Sequence, residues 1–291
     1  MSAEPALLAA IAASPDDDLP RLVYADWLDE NGCPLRAEFI RLQIEIAKKE
    51  TLPRAVVNVF SHLWKRQQEI LDNHLDELLG PLAGIVTLYN YEFHRGFLEQ
   101  LTLRLEDFLD HTEVVGALRP PPAVRATEAA DSLGHLARAD HVNLITELLV
   151  RREVMLFQEG FGRVVASELI DAQPRLTRLR LLDLENCRLG DDYAPDLFPH
   201  SHYFPALQEL DLSFNDLTDE GVLELLYTGV PQRLKRLVLG GNPIGDEGAV
   251  ALAEALANST VLENLTLRMT NIGQRGQAAL LGALGGKVDL F

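Results

Sequence analysis

The feature that most constrains this chain is an apolar pattern that returns in phase. Leu179, Leu182, Leu184, Cys187 and Leu189 follow the spacing L-x-x-L-x-L-x-x-N/C-x-L. The spacing returns as Leu207, Leu210, Leu212, Asn215, Leu217 and as Leu234, Leu237, Leu239, Asn242, Ile244. A further copy is Leu262, Leu265, Leu267, Thr270, Ile272. The second positions, 182, 210, 237 and 265, lie 28, 27 and 28 residues apart. A unit of that length cannot bury its own apolar side, so consecutive units must stack into one continuous core. Each Leu-x-Leu is a short strand whose alternate side chains point inward. Polar residues open a helix after it: Asp219-Glu220-Gly221, Asp246-Glu247-Gly248 and Gln274-Arg275-Gly276. Carboxylates there suit the positive end of a helix. In one unit Val250, Leu252, Ala253 and Leu256 supply the apolar helical face.

A strand and a helix alternating at this length resemble the ribonuclease-inhibitor type of leucine-rich repeat. The resemblance implies an α/β solenoid with parallel strands on the concave side and helices on the convex side. Asn215 and Asn242 sit where a side-chain amide can satisfy backbone groups of a buried turn. Each such group left unpaired costs about 1–3 kcal/mol. Cys187 is the alternative residue at that place, and Thr270 departs from it. Val288-Asp289-Leu290-Phe291 reads as a terminal strand covering the end of the stack. A step of 28 back from Leu182 reaches Val154, with Leu156 and Phe161-Gly162 in the places of Leu184 and Leu189-Gly190. Another step reaches Ala126, with Leu133-Gly134 in the Leu-Gly place. Two degenerate repeats are therefore expected over 98–175, ahead of regular ones over 176–291. The alternative is an irregular insertion at 110–160.

Residues 1–80 read as helices throughout, joined by a connector at 81–97. Ala6 to Ala13 is the first; Asp16-Asp17-Asp18 before Pro20 starts a second that Asn31-Gly32 stops. A third runs from about Leu35 to Lys48 with Ala37, Ile40, Ile44 and Ala47 on one face, and a fourth from about Arg54 to Leu79. Ser14-Pro15-Asp16-Asp17-Asp18-Leu19-Pro20-Arg21-Leu22-Val23-Tyr24-Ala25-Asp26-Trp27-Leu28-Asp29-Glu30-Asn31-Gly32 resembles the repeat-companion domain, as does Arg36-Ala37-Glu38-Phe39-Ile40-Arg41-Leu42-Gln43. That module stands at the N-terminus of large bacterial families, often ahead of leucine-rich repeats. His94-Arg95-Gly96-Phe97 is similar to the family's entry into the repeats. The resemblance implies an arrangement of domains and no transferable activity. Tyr24 and Trp27 are expected as core aromatics, and Arg21, Asp26 and Arg36 as ion-pair partners.

Charge narrows the function. Asp and Glu number 44 against 26 Lys and Arg, a net charge of -18. Nucleic-acid binding rests on cations that neutralise phosphates, so that class is disfavoured, as are anionic membranes, and a basic protein partner is favoured. Cys33 and Cys187 are the two cysteines, far apart in sequence, which points to a reducing, cytoplasmic setting. The apolar run 6–11 lacks the positive flank of a secretion signal. No cofactor, metal or catalytic set is expected. Gly286-Lys287 lacks the Ser/Thr and the first Gly of a phosphate loop, and His200-x-His202 beside Asp191, Asp192 and Asp196 lacks a metal spacing.

A non-enzymatic, monomeric protein-interaction scaffold is the leading reading. The other two are an effector enzyme using Cys33, or Asp26 and Glu30, and a self-associating structural protein. The register assigns the concave positions. Glu153, Met155 and Phe157 precede Leu181, Asp183 and Glu185; then come Glu209 and Asp211, and finally Arg236 and Arg268. Acids thus fill the middle, arginines the C-terminal end, and Met155, Phe157 and Leu181 an apolar patch.

Overall fold

The regular units form as their spacing requires, because every apolar column has somewhere to go. The computed structural model describes residues 3–50, 58–86, 90–150, 160–198 and 203–290. The chain divides into two compact units, Met1–Leu103 with His111–Val124 and Arg104–Asp110 with Arg125–Phe291.

In the first unit, helix α1 (Glu4–Ala13) is followed by α2 (Asp18–Glu30), α3 (Pro34–Glu50) and α4 (Ser61–Leu79). Asp17 caps α2 by accepting from Leu19 N at 2.9 Å, and the turn after Asn31 closes at Gly32 with φ +81°. Ile11, Tyr24, Ala25, Leu28, Ala37, Ile40 and Ile44 bury one core. Phe39, Ile70 and Leu78 form a second cluster, flanked by the Glu38–Arg66 ion pair at 2.7 Å. The expected connector holds strand β1 (Tyr91–His94), which runs antiparallel to β2 (Phe97–Arg104). Arg95 and Gly96 form the tight turn between them with φ +50° and +82°. A Cβ at Gly96 would sit 2.5 Å from Ile40 Cα, so only glycine lets the hairpin press on α3. Phe97 then enters the helical core, 5.9 Å from Tyr24, which stacks on Trp27 at 5.8 Å.

The expected ion pairs of this module need correction. Asp26 makes one, with Arg41 at 2.7 Å. Arg21 and Arg36 instead donate to the carbonyls of Asp17 and Leu78 and lie over the Phe97 ring at 5.8 and 5.6 Å. A guanidinium on a ring face keeps an electrostatic partner without a second buried charge. The Tyr24 phenol is pushed up by burial and by its hydrogen bond to Glu4.

After strand β3 (Ala123–Thr127), strands β4 (Ile145–Leu149), β5 (Leu181–Asp183), β6 (Glu209–Asp211), β7 (Arg236–Val238), β8 (Asn264–Thr266) and β9 (Val288–Asp289) of the second unit pair in parallel and in sequence order. Leu182, Leu210, Leu237 and Leu265 stand side by side in that register and are at most 1% exposed. Helices α5 (Phe161–Ala172), α6 (Gly190–Asp196), α7 (Asp219–Tyr227), α8 (Asp246–Leu256) and α9 (Gln274–Leu284) follow the strands one to a repeat. This is the leucine-rich-repeat α/β solenoid that the spacing predicts, and β9 ends its ladder. The upstream register differs from the even step of 28. Leu148, not Val154, lies beside Leu182. Phe161 follows Leu148 by 13 residues where Leu189 follows Leu182 by seven, so six extra residues separate strand from helix there. The Leu-Gly place itself is right: a Cβ at Gly162 would meet Arg188 O at 2.0 Å.

Two polar ladders tie each unit to the next. Asn215 Oδ1 accepts from Cys187 N and Leu189 N at 3.1 and 3.2 Å, while its Nδ2 donates to Leu184 O at 2.8 Å. Asn242 repeats this one unit on, accepting from Asn215 N and Leu217 N at 2.8 and 3.0 Å. Each amide therefore satisfies the turn of the unit before it, which a lone repeat could not do. The second ladder is aspartate. Asp191 accepts from Thr218 N at 2.8 Å, Asp219 from Gly245 N at 2.6 Å and Asp246 from Gly273 N at 2.8 Å. Gly221, Gly248 and Gly276 leave room for those carboxylates, since a Cβ would lie 2.1, 2.7 and 2.7 Å from the oxygens. The acids expected to favour their own helix start also hold the loop before the next helix.

Candidate protein-binding face of the repeats

Strand alternation decides which side chains can meet a partner. With Leu182, Leu210 and Leu237 inside, the outer positions are Leu181 and Asp183, Glu209 and Asp211, and Arg236 and Val238. Together with Leu210 they line a shallow depression of about 100 Å³. Glu185 lies just past β5 and is partly exposed. Arg236 and Arg268 are exposed, with Arg236 Nη1 3.9 Å from Glu209 Oε2 and Arg268 Nε 2.7 Å from Asp289 Oδ2. On the next strand upstream Glu147 takes the place beside Leu181 and pairs with Arg125.

Seven of the ten expected positions are thus gathered on one side of adjacent repeats. Glu153, Met155 and Phe157 lie outside the described residues, as do His200 and His202. In the ladder, the neighbours of Leu181 and Asp183 are Glu147 and Leu149. The apolar patch expected from Met155 and Phe157 rested on the even step that Leu148 replaces. Asp183 also departs from expectation, being only 4% exposed. Its Oδ1 accepts from Glu185 N at 3.0 Å, and Asp211 Oδ1 does the same for Ser213 N at 2.8 Å. A carboxylate two residues before an unpaired N–H folds back on it, the local bonding for which Asp is suited. These acids are therefore oriented by the turn that ends each strand.

Cys187 is buried, and burial with Asp183 and Glu185 nearby pushes its thiol up to about 12 from 9.0. Cys33 is exposed, and both thiols are free. Among the described residues no cluster of three or more His, Cys, Asp or Glu side chains could hold a metal ion, and no helix is long and apolar enough to cross a membrane.

Sequence reasoning missed one group of surface residues. Phe214 and Met269 are apolar, 42% and 76% exposed, and left-handed at φ +55° and +57°. A signal existed: Asn186 and Gly241 occupy the same place in neighbouring repeats, and both residue types favour positive φ.

Comparison with known proteins agrees with this geometry. The family model described as Leucine Rich repeat matches residues 205–226 and 231–253. Ribonuclease inhibitor of Sus scrofa is 33% identical over 128 residues, covering 43% of this chain and 27% of its own length. NACHT, LRR and PYD domains-containing protein 12 of Mus musculus is 39% identical over 102 residues, 34% of this chain. Tonsoku-like protein of Mus musculus is 37% identical over 122 residues, 39% of this chain. The chain spans only 10% and 9% of the lengths of these last two proteins. With the ladder, the strand–helix alternation and these likenesses in agreement, the C-terminal repeats are leucine-rich repeats of the ribonuclease-inhibitor type.

Proposed function

We propose that the protein is a non-enzymatic protein–protein interaction scaffold that takes a basic partner on the strand face of its repeats. The observation that carries this reading is the depression in which Asp183, Glu209 and Asp211 outnumber one cation, Arg236, with Leu181 and Val238 as apolar walls. Fixed carboxylates beside apolar surface complement a cationic side chain with an aliphatic stem. The proteins it is similar to share the repeat stretch, which supports binding as the common denominator. In this reading residues 1–80 are a helical module of the repeat-companion type, 81–97 join it to the array, and 98–291 form the array. The protein acts as a monomer in the cytoplasm without a cofactor.

The test is titration with a labelled Lys/Arg-rich peptide at several salt concentrations. Binding is expected to weaken as salt rises, since exposed charges are screened. Asp211→Lys combined with Glu209→Lys should abolish it while the fold is retained. Wild-type affinity in that double variant would sink the proposal. Light scattering of the free protein checks the monomer, and a concentration-dependent oligomer would favour self-association instead.

A further inference from the structure

The residue one step past each strand turn lies in a column at the rim of the strand face: Asn186, Phe214, Gly241 and Met269, at φ +58°, +55°, +68° and +57°. The conformation is imposed by the ladder, not chosen by the side chain. Asn186 N donates to Ser213 O at 3.0 Å, Phe214 N to Gly240 O at 2.9 Å and Gly241 N to Arg268 O at 2.8 Å. Asparagine and glycine adopt this region readily, whereas phenylalanine and methionine do so at a cost. Both are also exposed, so neither returns that cost through core burial. Gly241 stands between them without a side chain. A Cβ there would lie 2.4 Å from Phe214 Cδ1, so the ring lies across the glycine. Adjacent strands lie about 4.8 Å apart, so the ring reaches one strand over toward Met269 and the two residues present apolar surface along the same rim.

We propose that Phe214 and Met269 form an apolar anchor for an extended basic peptide segment, which packs one aromatic or aliphatic side chain against the exposed side of the Phe214 ring beside Met269. The inference rests on the scaffold reading above and names the recognition element of its partner. Charge selects this occupant. Asp211 lies three residues before Phe214 and exposed Asp216 two after it, while Arg268, next to Met269, is held by Asp289. A second copy of a chain with net charge -18 would bring like charges together at this rim; a cationic segment brings opposite ones.

The probes are two labelled Lys-rich synthetic peptides, identical except for a central Trp or Ser, with Kd read by fluorescence anisotropy. Wild-type protein should prefer the Trp peptide by about tenfold or more, a discrimination the F214N/M269N variant should lose. Binding of the Ser peptide should be unchanged in that variant. Its melting temperature should be at least that of the wild type, since asparagine suits both positions. Equal wild-type affinities, no binding of either peptide, or a Trp preference that survives in F214N/M269N would overturn the anchor. So would a dimer that F214N/M269N dissociates, which would identify a second copy as the occupant. E209Q/D211N separates the two readings. Weakened binding of both peptides with the Trp preference intact supports the acidic face and the anchor together. Unchanged binding of both peptides, with a preference that still depends on Phe214, sinks the acidic face and leaves the anchor standing.

Discussion

Strands β5 to β8 and strand β4 belong to one ladder, yet the first four follow the sequence period and β4 does not. Leu182, Leu210, Leu237 and Leu265 are spaced by 28, 27 and 28 residues, while Leu148 precedes Leu182 by 34. The difference lies in the turn. In the regular units Asn215 and Asn242 each bond backbone groups of two units, which holds the distance from strand to helix nearly constant. Five residues after Leu148 stands Glu153, which is neither Asn nor Cys, and the segment is six residues longer. A polar ladder that crosses units disciplines loop length. At β4 the parallel pairing persists despite the longer segment: Arg180 N donates to Thr146 O at 2.7 Å, Val150 N to Asp183 O at 2.9 Å, and Leu148 is fully buried.

The sharpest way to break this comparison is to truncate the core on both sides of it. Leu237→Ala and Leu148→Ala should each cost about 2–5 kcal/mol, because both side chains fill a closed interior. Urea denaturation of the two variants, with Val154→Ala beside them, measures it. A small loss for Leu148 and a large one for Val154 would restore the even period and discard the register of β4.

Asn242→Ala comes next. It removes the acceptor of two buried N–H groups and a donor to Leu212 O and Leu239 O, for a loss of at least about 2 kcal/mol. Hydrogen exchange should show faster exchange of the Asn215 and Leu217 amides. Unaltered protection there would mean that the ladder does not hold the turn.

The pH dependence of stability gives a smaller effect on the same turn. The Cys187 thiol is raised to about 12 by burial first and then by Asp183 and Glu185, so the folded chain keeps a proton that the unfolded chain loses near 9.0. Below that pH the group contributes no slope. As pH rises from about 9 toward 12 the unfolded state binds fewer protons, and stability falls. Cys187→Ala should flatten that part of the profile in melts at increasing pH; an unchanged slope would assign it to other groups. The smallest effect is expected at Arg236→Gln. Its pair with Glu209 is solvent-exposed at 3.9 Å, and the change in unfolding free energy should stay under about 1 kcal/mol. A larger loss would show that the strand face carries stability as well as charge.

Much of the candidate face was legible in the leucine register, which brings Glu209, Asp211 and Arg236 side by side as expected. Less legible was what each acid does. Asp183 was counted as an outward charge, but its backbone bond to Glu185 N and its burial appear only when the turn is folded. Asp219 and Asp246 read as acids for their own helices, whereas their partners are Gly245 and Gly273 of the following repeat. The apolar rim was hidden for a similar reason. Phe214 and Met269 look like ordinary core residues until backbone geometry places them in a left-handed column open to solvent.

The sequence alone determined the strand–helix alternation, the inward leucine columns, the asparagine turns and the acidic balance. Each of these is a local pattern whose period equals that of the structure it forms. Tertiary structure decided the register of β4, the use of carboxylates across unit boundaries and the exposure of the rim. Those depend on which groups a neighbouring repeat presents a few ångströms away, and a contact between residues roughly 30 apart leaves no period of its own when the loop between them changes length.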